Sequence, residues 1–140
     1  MKIKLLSENA KAPTYATDGA ACFDFYAATS ATVLPGNAAI VDTGIAVEVP
    51  ENFALLLFSR SGHGFKHGIR LANAVGVIDS DFRGGVKVAM HNDSNRDYTV
   101  AIGERIAQGM LVATFRHRID VVDELSETAR GTGGLGSTGK

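Results

Sequence analysis

Val75-Gly-Val-Ile-Asp79-Ser-Asp-Phe-Arg-Gly-Gly85-Val-Lys-Val-Ala-Met90 sets two apolar runs on either side of a turn built from Asp and Gly. Val86, Val88 and Met90 alternate with Lys87, Ala89 and His91, the period of two that marks a strand with one buried face. Asp and Gly between such runs are the usual residues of a hairpin turn. The same pattern repeats outward from this hairpin. Short runs rich in Val and Ile occupy 3–6, 22–27, 39–49, 53–58, 98–102 and 107–115, separated by Gly, Pro, Asn or Asp. Pro35-Gly36 and Asn92-Asp-Ser-Asn95 read as further turns. No window carries a long capped amphipathic helix, and residues 62–67 read either as a short helix or as loop. The expected fold is all-β, a jelly-roll-like barrel or sandwich over residues 1–125, with 126–140 a flexible Gly-rich C-terminal arm. A domain of this kind has sheet edges to cover. Its ligand residues would lie on scattered turns, so a complete pocket is expected to draw on more than one subunit.

With 140 residues the chain is one domain, long enough to bury roughly two-thirds of its unfolded surface. It is 45% hydrophobic and 21% charged with a net charge of −1, which excludes a general nucleic-acid binder and an acidic disordered chain. Any anion must therefore be met locally, by a few basic side chains and backbone N–H groups. The single Cys22 excludes an intrachain disulfide, and no His/Cys cluster surrounds it to hold zinc. The start, Met1-Lys-Ile-Lys-Leu-Leu6, lacks the apolar core of a signal peptide, and no run has membrane-spanning length. The expectation is a soluble cytoplasmic protein with no nucleic-acid or membrane partner.

The end of the chain, Arg130-Gly-Thr-Gly-Gly-Leu-Gly-Ser-Thr-Gly-Lys140, cannot build a core. Its glycines can turn backbone N–H groups onto an anion. Gly134 and Gly139-Lys140 match part of a phosphate-loop pattern, yet no Ser or Thr follows the lysine and no helix follows that. Read alone, it is either a disordered tail or an arm that closes over a ligand. Arg60-Ser61-Gly62, after the apolar 53–58, is either a plain turn or a compact set of anion donors. Asp79 and Asp81 point the same way if the run continues as a strand. They either decorate a hairpin, hold a cation between them, or divide their work, one pairing with Arg83 and the other acting as a base facing a pocket. Phe82 is a large ring that a plain hairpin does not need. Asp24 lies inside an apolar strand, where a buried carboxylate needs an arginine or a backbone amide as partner. His63, His67, His91 and His117 show neither metal-ligand spacing nor a triad pattern.

Taken together these segments resemble the five motifs of the trimeric deoxyuridine triphosphatases. The first is matched by Asp18-Gly-Ala-Ala-Cys-Phe-Asp24-Phe-Tyr-Ala and the second by Arg60-Ser-Gly62. Gly76-Val-Ile-Asp-Ser-Asp-Phe-Arg-Gly84, Gly103-Glu-Arg-Ile-Ala-Gln108 and the terminal Gly-rich segment match the other three, in order, so that the resemblance spans nearly the whole chain.

The resemblance implies hydrolysis of dUTP to dUMP and pyrophosphate, limiting uracil incorporation into DNA, by a homotrimer with shared sites. It makes Asp79 the catalytic carboxylate that holds the attacking water, and Mg²⁺ the cofactor. The ion would be held mainly by the substrate phosphates and reached by Asp24 through water. Phosphate contacts fall to Arg60, Ser61, Gly62, Arg105 and Gln108, with Ser61 near the bridging oxygen of the departing pyrophosphate. Asn73, Gly76, Val77 and Ile78 would meet the base, and Phe82, where the family commonly has tyrosine, would pack under the sugar. Lys87 falls among the substrate-binding positions. In the arm, Arg130, Gly136, Ser137 and Thr138 would close on the nucleotide, and Leu135 stands where the family usually has a phenylalanine over the uracil. A deoxycytidine triphosphate deaminase of the same fold would need a glutamate beside the base, and none lies within 73–82. The alternative from another class is a non-catalytic nucleotide-sensing or protein-binding module on the same scaffold.

Overall fold

The structure, a computed structural model, describes residues 1–137 and Gly139. In chain order its elements are β1 (Lys2–Leu5), β2 (Thr14–Tyr15), β3 (Phe23–Tyr26), β4 (Ala31–Val33), β5 (Ala38–Glu48), β6 (Phe53–Phe58), α1 (Ser61–His67), β7 (Ile69–Leu71), β8 (Gly76–Ile78), β9 (Gly85–Asn92), β10 (Tyr98–Val100) and β11 (Arg105–Ala113). One sheet runs β1-β5-β9-β7, a second runs β2-β3-β11-β6-β8, and β10 pairs with β4 in a two-stranded ribbon. All pairings are antiparallel, as expected of a jelly roll. Phe25, Leu55 and Ile106 from one sheet meet Val41, Ile45, Ile69, Val88 and Met90 from the other in a single core, with Val33 and Val100 from the ribbon. Among the described residues no helix is long and apolar enough to cross a membrane.

The long strands lie where alternation placed them. On β9, Val86, Val88 and Met90 are buried, while Lys87 is exposed and Ala89 and His91 are partly so. β2, β4 and β7 were not anticipated, because two or three residues cannot display a period. Residues 61–67 form about two turns of helix rather than loop. It ends at Gly68, whose left-handed φ of 67° lets its N–H reach Gly64 O at 3.0 Å.

Two glycines are required by close approach. β5 serves β1 through residues 45–48 and β9 through residues 38–42 and again at Ala46, with a register break between Asp42 and Ala46. Gly44 sits at that break with φ 65°, and a Cβ there would lie 2.6 Å from Ser7 Oγ and 2.8 Å from Ala28 Cβ. Gly109 on β11 leaves room for the Phe25 ring, since a Cβ would come within 2.7 Å of it and 3.1 Å of Leu55 Cδ1. Gly109→Ala is therefore expected to destabilise the fold by about 1–3 kcal/mol in urea unfolding, the usual cost of overpacking. Phe25→Leu should recover part of the loss, and simple additivity of the two changes would refute the contact.

The turn at residues 92–95 is organised from inside. Asn92 has no solvent exposure, and its amide donates to Val33 O and Arg96 O while accepting from the Ser94 N–H and hydroxyl. All the hydrogen-bonding capacity of the side chain is used, so burial costs it little.

After β11 the chain leaves the sheets. Thr114 N–H bonds to Asn52 O at 2.8 Å. Beyond it, the hydrogen bonds and ion pairs among the described residues stay within the segment. Phe115, Ile119, Val121, Val122 and Leu125 are all exposed, three of them by more than 85%.

Candidate active site

Most of the expected site residues hang from the five-stranded sheet. Asp24 on β3 lies beside β11, in register with Gln108. Arg105 opens β11, and Arg60 follows β6 and precedes α1. Folding brings both guanidiniums to one carboxylate. Arg60 Nε donates to Asp24 Oδ1 and Arg105 Nη1 to Oδ2, each at 3.1 Å. Arg60 Nη1 also donates to Arg105 O at 3.1 Å. The Asp24 side chain is 12% exposed, against 22% for Arg60 and 46% for Arg105. The two guanidiniums offset the cost of burying this carboxylate, and it in turn fixes their directions while leaving them N–H groups to spare. The expected arginine partner of Asp24 is thus found twice over, from positions 36 and 81 residues away. No local pattern could have shown that.

Asp24, Arg60, Ser61, Gly62, Arg105 and Gln108 line one open cleft of about 480 Å³, completed by Ala16 and residues 20–22. Gln108 Nε2 donates to Ser59 O at 3.0 Å, which ties β11 to the entry of α1 and leaves its Oε1 toward the cleft rim. Residues 20–22 fall within the first motif, but neither they nor Ala16 were expected to line the site, since such small side chains give no chemical signal.

The other expected group lies elsewhere. Asn73 is in the loop between β7 and β8, where Val75 N–H returns to Asn73 O at 2.6 Å across Ala74, held at φ 60°. A non-glycine residue there is strained by about 1–2 kcal/mol, so the shape of this backbone is imposed by its surroundings. Gly76, Val77 and Ile78 form β8 on the edge of the sheet. β8 pairs with β6 while β9 pairs with β5 and β7, so residues 79–84 cross from one sheet to the other and do not close the expected hairpin. β8 ends at Ile78, so Asp79 and Asp81 are turn residues and strand alternation does not set their directions. Asp81 joins Ser80, Glu51, Asn52 and Arg116 around a separate surface depression. Phe82 is 42% exposed and its ring folds back over Gly84, where a Cβ would lie 2.6 Å from the ring edge. Lys87 is on the outer face of β9, in the opposite sheet, level with Asp42.

Register measures how far apart the two groups are. Leu55 pairs with Ile78 and Leu56 with Val77, so the next step puts Asp79 level with Ala54. Arg60 lies six residues further along β6, on the order of 20 Å at strand rise. A water held by a carboxylate must come within about 3–3.5 Å of the phosphorus it attacks. Asp79 and the arginine cleft of one chain therefore do not form a single pocket.

In the terminal segment Arg130 Nε approaches Ser137 Oγ at 3.5 Å, Gly136 has φ 76°, and Leu135 is fully exposed. Thr138 lies outside the described residues.

Comparison with known proteins matches this geometry to one group. A family profile described as dUTPase matches residues 8–139. The deoxyuridine 5′-triphosphate nucleotidohydrolase of Nautilia profundicola is 42% identical over 140 residues, covering 100% of this chain and 99% of its own. That of Hahella chejuensis is 42% identical over 139 residues, covering 97% of this chain and 91% of its own. Among solved structures, the Staphylococcus bacteriophage 80alpha dUTPase with dUpNHpp superposes with a TM-score of 0.91 at 29% identity, over 99% of this chain and 98% of that one. The chain belongs to the dUTPase family.

Proposed function

We propose that this chain hydrolyses dUTP to dUMP and pyrophosphate in sites shared between copies of itself, arranged as a trimer. The observation that carries the reading is the pair of half-sites on one sheet. One is an arginine cleft organised by a buried carboxylate, and the other is the turn between β8 and β9 that carries Asp79 and Phe82, preceded by the strained loop at Ala74. Their separation along the sheet supports completion of each by a neighbouring copy. The exposed apolar side chains of residues 115–125 support the same arrangement, since a patch of that kind in water marks an association surface.

In this reading Arg60, Arg105 and Ser61 gather the phosphates, and Asp79 of another copy orients a water for in-line attack on the α-phosphorus and takes its proton. The backbone from Asn73 to Ile78 meets the uracil edge, where fixed donors and acceptors discriminate against cytosine. A close wall there excludes the thymine methyl. Phe82 packs against the deoxyribose and fills the space of a 2′-hydroxyl. The arm supplies Arg130, Ser137 and Thr138 to the phosphates and Leu135 to the base.

The donor set fits Mg²⁺ held by the substrate. Each Asp24 oxygen accepts one arginine N–H and keeps a lone pair for a water. Among the described residues no three His, Cys, Asp or Glu side chains converge into a cage. When bound across the phosphates, the ion supplies charge neutralisation.

Pyrophosphate release from dUTP with Mg²⁺, measured beside dTTP and dCTP, tests the proposal. Release from dUTP alone is expected, and no release at micromolar enzyme would overturn it.

Leu135→Phe is expected to lower KM about threefold to tenfold. Aromatic contact is worth roughly 0.5–1.5 kcal/mol beyond area, and leucine offers only dispersion. The side chain is fully exposed in the free chain, so the melting temperature should not change. A KM that does not fall would remove this residue from the base.

A further inference from the structure

Behind the arginine cleft lies a buried cluster that neither half-site uses. His63 is the one buried side chain of α1, with 8% side-chain exposure. Its Nε2 lies 3.5 Å from Glu104 Oε1, and its Nδ1 is buried with no hydrogen-bond partner. Glu104 Oε1 also accepts the Tyr98 hydroxyl at 2.8 Å, and Oε2 accepts the Ala101 N–H at 3.1 Å. The Tyr98 ring packs on both His63 and His67, at 5.7 and 5.2 Å between centroids. The groups facing His63 are thus Arg60 and His67 from the helical segment, Tyr98 from β10 and Glu104 from the turn before β11.

The position of this cluster gives it consequence. His63 is two residues from Ser61 and three from Arg60, and Glu104 directly precedes Arg105. The contact of His63 with Glu104 therefore joins the segment carrying one cleft arginine to the turn carrying the other. We propose that neutral His63 is a positioning residue that holds α1 against the Glu104 turn, so that its protonation loosens the phosphate cleft and weakens nucleotide binding in mild acid. The proposal rests on the reading of the cleft as a triphosphate site.

The chemistry runs as follows. Neutral imidazole can point one N–H at Glu104 and leaves Nδ1 as a buried acceptor without a partner, a cost the folded state already carries. Protonation puts an N–H on Nδ1 where no acceptor exists, and an unmet buried donor is costly. The new cation also lies beside Arg60. Glu104 favours the cation through Nε2 but offers no acceptor to the new N–H on Nδ1. Burial first, and then Arg60, holds the His63 pKa below its ordinary value, against the opposing pull of Glu104. Burial and Glu104 push the Tyr98 hydroxyl up to about 12, so it remains a donor throughout. Because the unfolded chain binds the proton more readily, the stabilisation from neutral His63 is complete above the ordinary histidine pKa of about 6.5. It is lost as pH falls from there to the lowered folded value. The proton is accommodated by moving α1 away from Glu104, which takes Ser61 with it.

The test compares wild type with His63→Gln, which keeps an amide N–H for Glu104 and cannot titrate. The nucleotide's own terminal phosphate titrates nearby, so the informative quantity is each protein's KM for dUTP relative to its own value at pH 8. Between pH 8 and 5.5 wild-type KM is expected to rise about fivefold more than that of the variant, a modest coupling between two sites, with the kcat profiles running parallel. Superimposable KM profiles would overturn the proposal. Should His63→Gln fail to fold, ¹⁵N-resolved titration of the wild-type protein decides instead. The Ser61 and Gly62 amides should shift with the pKa of His63, and amides that stay still while His63 titrates would overturn it. Absence of dUTP hydrolysis by wild type at pH 8 would count against the proposed activity, while this titration, which needs no substrate, still reads the positioning role.

Discussion

Asp79→Asn is expected to lower kcat for dUTP by on the order of 10²–10⁴, the range for losing a positioned general base. Asp79 is exposed at the end of β8, so the variant should keep the wild-type melting temperature, and the loss can be read as chemistry. Activity within tenfold of wild type would remove Asp79 from this role. The same variant tests the sharing of sites. A chain truncated after Leu125 lacks the arm but keeps Asp79. If a site takes its carboxylate from one copy and its arm from another, equal mixing with subunit exchange makes a site competent when the first is a truncated chain and the second an Asp79→Asn chain. Random assembly of a closed trimer then restores about one quarter of wild-type activity. Carboxylate and arm from the same copy would restore none, so confirmed exchange without recovery would end the shared-site reading.

How much of this was legible in the sequence depends on the distance over which each feature is determined. β9 could be read because Val86, Val88 and Met90 repeat within five residues, and the turn at 92–95 because Asn and Asp bond their own backbone. β2, β4 and β7 could not, since a run such as Ile69-Arg-Leu71 becomes a strand only through β9. The motif residues were legible through resemblance, and their chemistry is consistent with the types present. Sharing of sites was expected from the architecture and the resemblance, but the distance between Asp79 and Arg60 was not legible, because it follows from register, and register belongs to pairs of strands. Nor was the brace on Asp24, whose partners lie 36 and 81 residues away. The exposed run from Phe115 to Leu125 carried a signal in its spacing of large apolar residues, but only the finished sheets show that nothing among the described residues covers it.

Asp24→Ala is expected to injure both stability and binding, and the order of the two effects separates what the carboxylate does. Removing the acid leaves two guanidiniums facing each other across a site where its side chain was 12% exposed. Breaking a fully buried pair costs about 3–5 kcal/mol. Arg105 is nearly half exposed and can turn to water, which brings the expected loss to about 2–3 kcal/mol in urea unfolding at fixed protein concentration. Asp24→Asn should be no milder, because its amide points N–H groups at an arginine and only one oxygen remains to accept. The freed arginines could in principle meet phosphate better, yet they would then lose the fixed directions that Asp24 gives them, and each must be ordered anew on binding. Orientation should win, so KM for dUTP rises. Inorganic pyrophosphate supplies the distinguishing measurement, because an anion in the cleft can replace the lost carboxylate. It should raise the melting temperature of Asp24→Ala more than that of wild type. A variant with wild-type stability and KM would show that the two arginines stand without Asp24, and an equal response to pyrophosphate would show that the cleft they line is not where phosphate binds.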